Sequence, residues 1–143
     1  MKNFDSYLSL LFLALISSWV SAQDDLRLIH AVKDQDLVNV RILIDSDADI
    51  NAAEVDGSSA LHWAVHRNNI GIASLLLEAG IEVNAKNRYE VAALSLAANN
   101  GHPEMIKLLL NAGAFPNTAM AENETVLMTA ARSGVVESVA LLI

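Results

Sequence analysis

Residues Gly57–Lys86 read GSSALHWAVHRNNIGIASLLLEAGIEVNAK. Ser59 precedes a short apolar-periodic run, and its hydroxyl can cap a helix start. The spacing predicts a first helix over Ala60 to Arg67, with Leu61 and Ala64 three apart on one face. Asn68 and Asn69 break it. A second helix is expected from Ile70 to Ala79, with Ile72, Leu75, Leu76 and Leu77 as its apolar stripe. Gly80 then ends that helix by allowing a left-handed backbone. An extended stretch through Asn84 leads onward.

The same pattern recurs at a shift of 33 residues. Leu28, Leu61, Leu94 and Leu127 share one position, and Ala31, Ala64, Ala97 and Ala130 another. Asn51, Asn84 and Asn117 form a third column. Ile42, Leu75, Leu108 and Leu141 form a fourth, and Ile44, Leu77, Leu110 and Ile143 a fifth. Five columns in one register mark an internal repeat. Helices of two turns are marginal alone, so each unit must bury its apolar face against its neighbours. The shared alanine lets adjacent first helices approach closely. The units run over about 24–53, 54–86, 87–119 and 120–143. The first is the least regular, as suits an N-terminal cap, and Asp24 or Asp25 is placed to cap its first helix. The fourth stops at Ile143 within its second helix, so the natural protein is expected to continue.

The run S-A-L-H-W-A at Ser59–Ala64 and G-I-E-V-N at Gly80–Asn84 resemble the ankyrin repeat. Further copies stand at Ala92–Ala97 and Thr125–Ala130, and a degenerate one at Leu26–Ala31, with repeat ends at Asp47–Asn51 and Gly113–Asn117. The family's proline is absent from its usual position, and its histidine is kept only at His62. The resemblance covers residues 24–143. It implies an all-α solenoid of stacked helix-turn-helix units with extended fingers, three full repeats and one partial. It further implies a non-catalytic scaffold that binds a protein partner in the groove between finger tips and first helices. The matching groove positions include Trp63, His66 and Arg67 in the second unit. The third unit contributes Arg88, Tyr89, Asn99 and Asn100, and the fourth Arg132. Trp, Tyr and Arg are the types enriched in binding hot spots. For Trp63 two readings stand side by side: a groove contact, or packing against Leu96 of the neighbouring first helix. A second functional reading is an interaction module of a larger exported enzyme whose catalytic part lies beyond residue 143.

The chain carries 9 basic and 17 acidic side chains, a net charge of -8. That balance repels phosphate backbones and anionic headgroups and argues against nucleic-acid partners. The absence of cysteine excludes disulfides and thiolate chemistry. Residues 1–22 read as a secretory signal peptide: a weakly basic start at Lys2, an apolar run from Leu8 to Ile16, and small side chains at Val20-Ser21-Ala22 before cleavage at Gln23. The apolar run is too short for a full membrane span of roughly 20 residues. Residues 23–143 are thus expected to act as an exported monomer, periplasmic or extracellular, with no stable membrane span after cleavage.

His62 and His66 stand four apart, a spacing compatible with a metal pair. Trp63 occupies the place where a metalloprotease would need glutamate, and His62 matches the family's structural histidine. Asp45, Asp47, Asp49 and Asp56 resemble a calcium loop in spacing, but Ile50 stands where such a loop needs glycine. No catalytic residue, metal site or cofactor is expected.

Overall fold

The computed structural model describes residues 25–143. The leader and Asp24 lie outside the described residues. Among the described residues eight α-helices follow in four pairs. These are α1 (Arg27–Lys33) with α2 (Leu37–Asp45), and α3 (Ala60–His66) with α4 (Ile70–Glu78). The later pairs are α5 (Ala93–Asn100) with α6 (Pro103–Asn111), and α7 (Val126–Ser133) with α8 (Val136–Ala140). First helices begin at 27, 60, 93 and 126, and second helices at 37, 70, 103 and 136, so the register is kept to the residue. α3 and α4 each end one residue before the limits read from the pattern, because Arg67 and Ala79 serve as C-caps.

The elements close as their sequences direct. Asp36, Asn69 and Thr125 each accept the backbone N–H three residues on, capping α2, α4 and α7. Asp25 accepts both the Arg27 N–H at 3.2 Å and its guanidinium at 2.7 and 2.6 Å. That hydrogen bond holds the Asp25 carboxyl down to about 2. α6 opens on Pro103, which needs no hydrogen-bond partner there. Every turn between paired helices passes through a left-handed residue: Gln35, Asn68, Gly101 and Gly134. Gly101 is constrained further, since a Cβ there would lie 2.7 Å from Val135 Cγ2.

First helices pack in the series α1–α3–α5–α7 and second helices in the series α2–α4–α6–α8. One hydrophobic core runs through the stack. Leu28, Leu61 and Leu94 are 1–2% exposed, and the alanine column is buried throughout. Each such leucine contributes roughly 1.5–3 kcal/mol of burial. In the fourth unit Leu127 is 39% and Met128 58% exposed among the described residues.

The asparagine column has a separate task. Asn51 Oδ1 accepts the Glu82 N–H at 2.8 Å, and Asn84 Oδ1 accepts the Phe115 N–H at 2.9 Å. Each asparagine therefore ties its unit to the backbone of the next. The fingers open through isolated antiparallel bridges, Ala53 with Ser59, Lys86 with Ala92 and Ala119 with Thr125. These bridges fold each extended segment back to the start of the following first helix. They place the finger residues beside the exposed sides of α3, α5 and α7.

Candidate interaction groove

His62 fixes the junction between the second and third units. Its Nε2 lies 3.0 Å from the Val91 carbonyl oxygen. A carbonyl only accepts, so Nε2 carries the proton and Nδ1 is the acceptor. Nδ1 receives the Ser59 N–H at 3.2 Å and the Ser59 hydroxyl at 2.8 Å. The ring thus closes a capping box on α3 and clasps the next finger. Burial pushes its pKa below the ordinary histidine value, partly opposed by the Val91 bond and by Asp56. With both nitrogens committed, His62 does not pair with His66 as a ligand. Among the described residues no three metal-ligating side chains converge. In the aspartate run, Asp47 takes the left-handed turn and Asp49 accepts the Asn51 N–H at 3.0 Å.

Trp63 is half-buried against the core. Its indole N–H donates to Glu54 Oε2 at 2.7 Å, and the Lys33 ammonium sits 4.2 Å from the ring centroid. Lys33 and Glu54 pair at 2.5 Å, and His66 meets the indole edge-on at 5.7 Å. The tryptophan is therefore held by three side chains from two units. Lys33 and Glu54 were not among the residues picked from sequence. The register itself could have found Lys33, which stands in the column of His66, Asn99 and Arg132.

A hollow of about 290 Å³ opens beside this cluster, lined by Asp56, Ser58, His62, Trp63, His66, Asn87, Val91 and Leu96. Two N–H or O–H bonds from Ser58 hold the Asp56 carboxylate, lowering its pKa. A second hollow of about 190 Å³ is lined by Val91, Ser95, Leu96, Asn99, Met120, Glu124, Thr129 and Arg132. Shifted by 33, seven of its eight residues fall on lining residues of the first. Val91 and Leu96 form a wall common to both. Trp63 and Leu96 line the same hollow.

Of the other expected groove residues, His66 lines the first hollow, and Asn99 and Arg132 line the second. Arg132 pairs with Glu124. Arg67 and Tyr89 are exposed and line neither hollow. Asn100 also lines neither, and its Oδ1 accepts from Asn99 at 3.4 Å. Arg88 is turned into structure: its N–H donates to Asp56 O at 2.7 Å and its guanidinium to Val55 O, joining two fingers. Lys86 does the same for the next pair, donating to Ala119 O at 3.0 Å.

Paired helices in strict register, bridged fingers and a histidine clasp between units meet a direct comparison with protein families. The model for ankyrin repeats (3 copies) matches residues 7–87 and 86–143. The chain belongs to the ankyrin-repeat family. No curated protein shows significant similarity to it. Ankyrin repeats generally mediate protein–protein interaction and are typically non-catalytic. No helix among the described residues is long and apolar enough to cross a membrane.

Proposed function

We propose that this ankyrin-repeat chain is an exported, non-catalytic scaffold that binds a protein partner along the face made by its fingers and first helices. The observation that carries the reading is the pair of equivalent hollows one repeat apart. Core columns repeat leucine and alanine from unit to unit because packing demands it. Hollow columns do not repeat: Trp63 becomes Leu96, His66 becomes Asn99, and Asn87 becomes Met120. Side chains facing open space are released from the packing constraint and can be matched to a partner. Trp63, already stripped of much of its water and held in one orientation by Glu54 and Lys33, loses little freedom on binding. Export rests on the leader pattern of residues 1–22.

Photo-crosslinking from single positions tests the face. A benzoylphenylalanine at Tyr89 or Asn99, on the finger and first-helix side, is expected to capture a partner from host extract. The same probe at Lys107, exposed on α6, should capture none. Equal capture from all three positions, or capture from Lys107 alone, overturns the assignment of the face.

A further inference from the structure

The two hollows share a wall but differ in charge. In the second, the Glu124 carboxylate pairs with Arg132 and receives the Thr129 hydroxyl at 3.2 Å. In the first, Asp56 lines the space and forms no ion pair among the described residues. Its carboxylate takes hydrogen bonds from Ser58, the backbone N–H to Oδ1 and the hydroxyl to Oδ2, both at 2.9 Å. An ionised carboxylate has about four acceptor sites, so each oxygen can accept again. The Ser58 N–H above all holds the group ionised. Glu54, also on this finger, is already matched by Lys33 and by the Trp63 indole N–H. The Arg88 guanidinium is directed to the Val55 carbonyl. Asp56 is therefore the one unmatched anion lining the first hollow, among the described residues.

We propose that the first hollow is the charge-reading subsite of the groove and takes an arginine side chain of the partner. The inference rests on the groove reading above and names what one part of it binds. The space, about 290 Å³, exceeds the roughly 150 Å³ that admits a benzene ring. Trp63, Val91 and Leu96 give the planar guanidinium and its methylene stem apolar surface to lie on. The Asp56 carboxylate lines the same hollow and can accept the guanidinium N–H groups. The indole already holds one cation: Lys33 reaches it from the preceding unit, its charge balanced by Glu54. The hollow lies toward the following unit, where Val91 and Leu96 stand. With a net charge of -8, the chain draws a basic partner from a distance. A phosphate or carboxylate would meet Asp56 with like charge, and a neutral side chain would leave that charge unmatched and stripped of water.

The test needs no partner. Chain 23–143, labelled with ¹⁵N, is titrated with the N-acetyl amides of arginine, lysine and citrulline. Citrulline has the shape of arginine without its charge. The arginine probe is expected to shift the Trp63 indole N–H and the Ser58 and Leu96 amides saturably, and citrulline to bind at least tenfold more weakly. Lysine has no plane to stack on the indole and no fork to match a carboxylate, so it should bind at least threefold more weakly. Asp56→Asn keeps an acceptor for Ser58 and removes the charge, and should weaken the arginine probe about tenfold. Glu124→Gln, in the second hollow, should leave the same titration unchanged. No saturable shift by the arginine probe, or equal binding of citrulline or lysine, overturns the proposal, as does a titration that Asp56→Asn leaves unchanged. Failure here with crosslinks still arising from Asn99 removes the arginine subsite and leaves the groove. Success here with crosslinks only from Lys107 does the reverse.

Discussion

The His62 clasp makes a quantitative claim about how units are joined. His62→Ala removes the ring's bonds to Ser59, a loss of capping of about 1 kcal/mol. It removes the bond to Val91 O, net about 1 kcal/mol, and it leaves a buried gap costing about 1 kcal/mol more. The sum is about 3 kcal/mol, a large share of a marginal stability. Ser95→Ala is the control in the same column, because its hydroxyl makes no bond to lose. Its effect should stay within about 0.5 kcal/mol. Urea titrations of chain 23–143 followed by far-UV circular dichroism give both values with shared slopes. Equal losses at the two positions, or a His62→Ala loss under about 1 kcal/mol, would refute the clasp.

Three further outcomes follow from the same geometry. Because burial depresses the His62 pKa, the folded state binds that proton less readily than the unfolded one. The stabilisation is full above the unfolded value of about 6.5 and is lost as pH falls below it through the folded pKa; urea midpoints should drop over that window, and His62→Gln should flatten the drop. Leu94→Ala, in the middle of the stack, is expected to cost about 2–5 kcal/mol, while Leu127→Ala, 39% exposed at the last unit, should cost less than half as much; equal melting shifts would contradict a core that thins toward that end. Gly101→Ala puts a Cβ against Val135 in a left-handed turn, whereas Gly134→Ala meets open space with a similar backbone angle; the first should lower Tm clearly more than the second.

Sequence revealed the fold well because its constraints are local and repeated. Leucine and alanine columns are set by packing between neighbouring helices, and the asparagine column by a bond from one unit to the backbone of the next. Both recur every 33 residues. The groove was legible only as a list of positions. Whether Arg88 faces a partner or the Val55 carbonyl depends on side-chain direction, which periodicity does not encode. Lys33 stands in the groove column of His66, Asn99 and Arg132, but its hold, with Glu54, on the Trp63 indole depends on side-chain direction across two units, which periodicity does not encode.

The central claim is that binding uses the hollows between fingers and first helices. With the partner captured at Asn99 in hand, calorimetry against Trp63→Ala/Leu96→Ala, which line the hollows, and against Lys107→Ala tests it most directly, with circular dichroism confirming that each variant is folded. Loss of at least a hundredfold in affinity for the first and none for the second is the predicted result. Unchanged affinity for Trp63→Ala/Leu96→Ala, or a comparable loss for Lys107→Ala, would contradict it.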